Sequence, residues 1–208
     1  MILGVDHLAL TATDLDEVHN HLLHRGFECS FVAHEVPNHP SKAHLLGNYR
    51  PTHDLGYYRP PTGIPIEVTV HGDEPVGRSP FSWAPDRVTL NSSDPTADTG
   101  FIRTALRFRN RNGLLSLVSP IPAWNCTVEV CSSDAAEPIL LDAPGYPCLA
   151  LLTNAIEDDL VRAITAGAID TTDVFFTTLP DKVVRTVLFR SPADTIFELV
   201  EINRGSHR

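Results

Sequence analysis

The chain has 208 residues, 42% hydrophobic and 20% charged, enough to bury one sizeable core or two small ones and too apolar for a disordered chain. A formal net charge of −10 excludes a general nucleic-acid binder, which needs a cationic surface to displace counterions from phosphates. No apolar run reaches the roughly 20 residues of a membrane span, and Met1-Ile2-Leu3-Gly4 has no signal-peptide pattern, so no membrane partner and a cytoplasmic location are expected.

Val5-Asp6-His7-Leu8-Ala9-Leu10 alternates so that His7 and Ala9 share one side of a strand, with Leu8 and Leu10 on the other. Thr13 or Asp14 can cap the helix that follows, about residues 14–25, where Leu15, Val18 and Leu22 form the apolar stripe. Asp16 and Glu17 load its first turn and Gly26 supplies a left-handed stop. Phe27 to Val36 reads as a strand, Pro37 to Pro51 as a polar loop carrying His39, Lys42 and His44, and Asp54 to Arg59 as an extended run. The last strand of this set, Ile64 to Val70, puts Glu67, Thr69 and His71 on one face and Ile66, Val68 and Val70 on the other.

Gly72-Asp73-Glu74-Pro75 and Asp142-Ala143-Pro144-Gly145 are turn-rich boundaries, dividing the chain into segments 1–72, 73–145 and 146–208. In the middle segment Asp86-Arg87-Val88-Thr89-Leu90 echoes Asp6-His7-Leu8-Ala9-Leu10 at an offset of 80. Phe101, Ile102, Ala105 and Leu106 make a helical stripe there, and Leu114 to Ser119 and Asn125 to Cys131 read as strands. This pattern predicts a degenerate module, one strand short, with Arg87 at the first position. The last segment predicts a helix from about Ile156 to Ala166 and strands near Thr172–Thr178, Val183–Arg190 and Thr195–Ile202, before a polar tail, 203–208, expected to fray.

The first and last segments repeat one another. His7 and Cys148 are separated by 141 residues, as are Gly26 and Gly167; Arg59 and Arg190, and likewise Glu67 and Glu198, are separated by 131. The difference of ten residues makes the internal loop of the first copy the longer one.

On these residues the sequence resembles the vicinal oxygen chelate superfamily of glyoxalases, bleomycin-resistance proteins and type I extradiol dioxygenases, over about residues 3–72 and 146–203. The resemblance implies an α+β fold in which βαβββ modules pair into a cupped sheet. It also implies metal ligands on the first and last strands of paired modules, here the positions of His7, Glu67, Cys148 and Glu198. Cys148 departs from the histidine common at that position.

An isolated histidine at a strand start is more often structural than a ligand. Two glutamates at matched positions on apolar strands change that reading, because burying them without a cation is costly. His7, Glu67 and Glu198 would form a hard-to-borderline set suited to Mn, Fe, Co, Ni or Zn, with positions left for two vicinal oxygens. Cys148 is expected to pack as a small hydrophobe, and with Cys29, Cys126 and Cys131 to stay a reduced thiol. Of ten histidines, His19, His21 and His24 fall on a helix whose solvated face is their expected home. His53 and His71 are the candidates to relay a proton or orient a substrate oxygen.

The resemblance therefore implies a metal-dependent enzyme acting on a small oxygenated metabolite, first a glyoxalase-like lyase or isomerase. An extradiol-type dioxygenase and a non-catalytic antibiotic binder of the bleomycin-resistance type are the alternatives. Three modules in a fold that closes in pairs predict a homodimer, because an unpaired module would expose an open edge and an apolar face.

Overall fold

The computed structural model describes residues 1–72 and 77–202; the polar tail 203–208 and residues 73–76 of the first boundary lie outside the described residues. The first segment runs β1 (Ile2–Thr11), α1 (Leu15–His24), β2 (Glu28–Pro37), β3 (Thr52–Arg59) and β4 (Ile66–Val70). Asp14 caps α1 by accepting from the Glu17 amide at 2.9 Å, and Leu15 and Leu22 are its buried face. Next come β5 (Phe81–Ala84), β6 (Arg87–Ser92), α2 (Pro95–Thr104), β7 (Arg109–Arg111), β8 (Leu114–Leu117) and β9 (Cys126–Ser132). The chain continues with β10 (Gly145–Thr153), α3 (Ile156–Thr165), β11 (Phe175–Thr178), β12 (Val183–Arg190) and β13 (Ile196–Ile202).

Each segment is a βαβββ module whose last strand lies parallel beside its first. The middle one is not a strand short, which corrects the sequence reading. The strand that composition hides is β7, three exposed polar residues hairpinned onto β8. The extra strand β5 was also illegible; it pairs with β6 and touches β10 at Tyr146.

The first and last modules join through their first strands. β1 and β10 run antiparallel with Leu8 opposite Leu149, His7 opposite Ala150 and Ala9 opposite Cys148. This seam makes one continuous sheet in the order β2-β3-β4-β1-β10-β13-β12-β11. Glu67 stands opposite Ala9 and Glu198 opposite Ala150, so the local dyad places both glutamates beside the seam on the same face. The third copy obeys the same register, with Glu129 opposite Thr89. There, however, the carboxylate faces Arg87 at 3.4 Å, on a half-exposed surface away from the seam.

The back of the sheet carries Leu8, Leu149, Leu151, Phe197 and Leu199, which pack against Phe101, Ile102 and Leu106 of the middle module in the main core. The middle module's apolar face is therefore covered within the chain. That removes the exposed apolar face on which the expectation of a dimer partly rested. What its other face presents is half-buried and largely polar, with Thr89, Asn91, Thr127 and Glu129.

One polar bond set locks the middle module to the last. Asp98 on α2 is fully buried and accepts from the Ser191 hydroxyl at 2.5 Å and the Thr195 hydroxyl at 2.9 Å, in the turn between β12 and β13. Asp98→Ala leaves two buried hydroxyls without their acceptor and is expected to cost about 3 kcal/mol. A urea midpoint unchanged from wild type would show that the two modules do not depend on this contact.

Candidate metal centre and cup

The concave face of the seam forms a cup open to solvent on one side. A β-bulge interrupts the β1–β10 register between Val5 and His7, so that Asp6 and His7, consecutive in sequence, both line the cup. His7 is 2% exposed. Its Nδ1 is 2.8 Å from Asp6 Oδ2, and its Nε2, buried with no hydrogen-bond partner, lies 3.5 Å from Glu67 Oε1 and 3.7 Å from Glu198 Oε2. The structure thus brings His7, Glu67 and Glu198 together within one chain. The Tyr57 hydroxyl donates to the Asp6 carbonyl at 2.9 Å, and its ring meets the His7 ring edge-on.

Three carboxylates around one imidazole set the local electrostatics. Burial opposes a charge on His7, but the charge of Glu67, the Asp6 hydrogen bond and the nearby Glu198 carboxylate outweigh it, holding the pKa well above 6.5. Burial raises Asp6 too, yet the bond and charge of His7 overcome this and leave it below the ordinary carboxylate value. Glu67 goes the other way: burial raises it, His7 offsets part of that, and Glu198 adds repulsion.

By donor type, one imidazole nitrogen with carboxylate oxygens suits a divalent ion. Two ligands about 2.1 Å from one ion, at tetrahedral or octahedral angles, stand about 3.0–3.4 Å apart. The observed 3.5 and 3.7 Å are wider by a few tenths of an ångström. Among the described residues no group of three His, Cys, Asp or Glu side chains is placed so as to hold a metal ion. The unpartnered Nε2 is the atom an ion would satisfy, and the Asp6 bond to Nδ1 is the outer-shell support that orients a ligating imidazole.

Cys148, the repeat partner of His7, is 1% exposed and packs with Ala9, Leu45, Ile139, Leu188 and Ile196. Burial, reinforced by Glu198 and Glu67, pushes its thiol well above its usual value, so it is a neutral packing group there.

His53 and His71 line the same cup, on β3 and just beyond β4, with ring centroids 5.2 Å apart. The sequence paired them with the centre; the structure stacks them on each other. Each Nδ1 is buried without a partner. Burial and the nearby Lys42 charge depress His53 to about 2, with a contribution from His71, and burial and Lys42 depress His71 to about 3. The helix histidines divide: His21 and His24 are exposed, whereas His19 is half-buried against the Tyr58 hydroxyl at 3.0 Å.

Lys42, which the sequence reads as part of a polar loop, lines the cup. It sits on a 3-10 turn, Pro40–Leu45, within the longer loop of the first module. That loop crosses as a strap to the last module and to the end of the middle segment. His39 stacks on Phe175 at 4.7 Å, His44 Nε2 is 2.9 Å from the Asp170 carbonyl, and Asp142 accepts from the amides of Gly47 and Asn48 at 2.9 and 2.8 Å. The extra length of the first repeat was the available signal. Burial lowers the Lys42 pKa and the charges of Glu198 and Glu67 offset part of that. Lys182, on the turn before β12, reaches the other side of the centre over the Tyr57 ring at 5.4 Å.

No family model matches the chain, and no curated protein matches it. Solved structures similar to it include methylmalonyl-CoA epimerase from Mycobacterium tuberculosis, at 12% identity and TM-score 0.47 over 96% of this chain and 88% of that one. Glyoxalase I from Zea mays is 14% identical with TM-score 0.41, over 95% of this chain and 67% of that one. A candidate dioxygenase from Bacillus subtilis subsp. subtilis str. 168 is 12% identical with TM-score 0.41, over 98% of this chain and 64% of that one. This chain therefore spans less than two thirds of the length of the Bacillus protein. The paired βαβββ modules and the cupped sheet are the α+β fold that the sequence led one to expect. Among the described residues no helix is long and apolar enough to cross a membrane.

The two depressed imidazoles make an acid-dependent prediction. An unfolded imidazole titrates near 6.5, whereas in the folded chain these take up protons only near 2 and 3. Between those values the unfolded chain binds more protons, so stability present in full above about pH 6.5 is lost as pH falls toward 3. The loss should be on the order of 1 kcal/mol per pH unit for each ring. The His53→Gln, His71→Gln variant is expected to show a flatter fall in urea midpoint between pH 6.5 and 4 than wild type.

Proposed function

We propose that this protein is a metal-dependent enzyme acting on a small oxygenated metabolite, a glyoxalase-like lyase or isomerase. The observation that carries this reading is the buried, unpartnered His7 Nε2 between the carboxylates of Glu67 and Glu198, with Asp6 holding Nδ1. His7, Glu67 and Glu198 would hold the ion, drawn from Mn, Fe, Co, Ni and Zn by the mixed nitrogen and oxygen donors. When bound, a divalent ion supplies Lewis acidity toward adjacent substrate oxygens.

The chain's own residues supply the rest. Asp6 fixes the His7 ring so that Nε2 points into the cup. Glu67 and Glu198 each carry two carboxylate oxygens, and an oxygen not engaged by the ion is the base nearest the centre, able to take and return a substrate proton. His53 and His71, with pKa values near 2 and 3, are too weak as bases to relay protons at neutral pH. Their role in this reading is to orient substrate as neutral imidazoles. Leu55, Phe175, Leu188 and Val200 give the cup apolar walls that limit water around the reacting atoms.

Two features favour this over the rival chemistries. The dioxygenase reading wants a second imidazole at the centre, and the equivalent position holds the packed, neutral Cys148. A passive binder has no use for an unpartnered buried imidazole nitrogen flanked by two carboxylates.

Protein purified without chelator is expected to contain about one divalent ion per chain by elemental analysis. Glu67→Gln and Glu198→Gln should each reduce occupancy severely, and Asp6→Asn should weaken affinity about 10- to 100-fold through the orientation of His7. Cys148→Ser should leave metal content largely intact. Full occupancy in the Glu67→Gln, Glu198→Gln double variant would sink the assignment. Because all three donors belong to one chain, mixing His7→Ala and Glu198→Gln chains should regenerate no site.

A further inference from the structure

We propose that Lys42, His53 and His71 form an anion subsite in the cup, so that the substrate carries a carboxylate or phosphate at some distance from its vicinal oxygens. The inference rests on the metal-centre reading for the position of those oxygens, and on four separate observations for the anion.

The first is delivery. The strap that carries Lys42 is pinned to the last module at His39 and His44 and to Asp142 of the middle segment at Gly47 and Asn48, which holds the lysine over the cup. A surface loop with no task at this place would not need so many cross-module ties. The second is partnership. Among the described residues the Lys42 ammonium has neither a hydrogen bond nor an ion pair within 4 Å, although it lines a cavity containing three carboxylates.

The third observation is the pair of imidazoles. His53 and His71 are 8% and 7% exposed, and neither has a hydrogen bond at either ring nitrogen among the described residues. Their Nδ1 atoms are sealed. A neutral ring in that setting keeps its proton on Nε2, because a buried N–H without an acceptor is the costlier orphan. Two N–H donors and one ammonium are then available to a ligand oxygen. Neutral imidazoles beside an ammonium also avoid the repulsion that two imidazolium ions would bring.

The fourth is charge. Asp6, Glu67 and Glu198 face Lys42 and Lys182 in the cup. With a divalent ion in place and His7 neutral, one positive charge is left over, and a monoanionic group on the substrate cancels it. Glu67 and His71 lie four residues apart on the β4 side, about 13 Å along an extended chain, with Thr69 between them on the same face. Both ends line one cup, so a substrate can have its vicinal oxygens at the centre and its anionic end toward the imidazoles. Lys42 lies close enough to both ends to act electrostatically on Glu67, Glu198, His53 and His71.

The test uses matched probes on the metal-loaded protein, with metal content measured in each sample. Dihydroxyacetone offers a hydroxyl and a carbonyl on adjacent carbons without an anion. Dihydroxyacetone phosphate adds a phosphate, and 5-hydroxy-4-oxopentanoate carries a carboxylate two carbons beyond the same hydroxy-ketone, so these arms also tell which anionic group is preferred. By calorimetry at least one anionic probe is expected to bind wild type at least tenfold more tightly than dihydroxyacetone. Lys42→Met should abolish that preference, the anionic probe falling to the affinity that the variant itself shows for dihydroxyacetone at equal metal content, and Lys42→Arg should restore most of it. Equal affinity for all three probes in wild type, or a preference that survives Lys42→Met, overturns the subsite. If the protein holds no metal, inorganic phosphate replaces the probes: tenfold weaker binding to Lys42→Met supports the subsite while the metal reading fails, and unchanged binding overturns the subsite as well.

Discussion

The antiparallel pairing of β1 with β10 is the constraint on which the site depends. Each strand already has its own last strand in parallel on one edge, so pairing along the other edge produces a local dyad at Leu8 and Leu149. That dyad decides which residues meet. Side chains alternate with a period of two, and the register leaves His7, Ala9, Glu67, Cys148, Ala150 and Glu198 on the cup face while the leucines of both strands fill the core behind. Slipping the seam by one residue would send His7 into the core and Leu8 into the cup. The apolar packing of Leu8, Leu149, Leu151 and Phe197 is thus what fixes the position of the polar centre.

Within the cup, two opposing electrostatic demands are met at different ends. The centre gathers negative charge around a single imidazole, which raises its affinity for a proton or a cation. The far end gathers an ammonium and two rings that burial keeps neutral. A cavity of this kind is polar by polarity of charge as well as by composition, and its long axis has a direction. Apolar walls between the ends keep the local dielectric low, so each end is felt strongly by whatever enters.

Much of this was legible in the residues. The repeat offsets located both glutamates and His7, because a duplicated module carries its register with it and parallel pairing maps equal positions onto equal positions. Asp6 was not legible: alternation alone puts it on the opposite face from His7, and only the bulge turns both inward. β7 escaped because Arg109-Asn110-Arg111 carries no apolar signal and owes its conformation to its hairpin with β8. The role of the strap was hidden for a related reason. Its ten extra residues were visible as length, but what they touch lies more than ninety residues away, at Asp142, Asp170 and Phe175.

The short strand β5 has a bearing on assembly. A strand has two edges, and β6, the first strand of the middle module, already has β9 on one of them. In the other two modules the second edge of the first strand is where a sister module docks. In the middle module β5 occupies that edge, pairing Phe81 with Leu90 and Trp83 with Val88, and it is itself tied to β10 through Tyr146. It works as a stopper. A third cup cannot be nucleated at β6 by another molecule unless four residues are first peeled away, and growth of the sheet by head-on addition of further modules ends at this point.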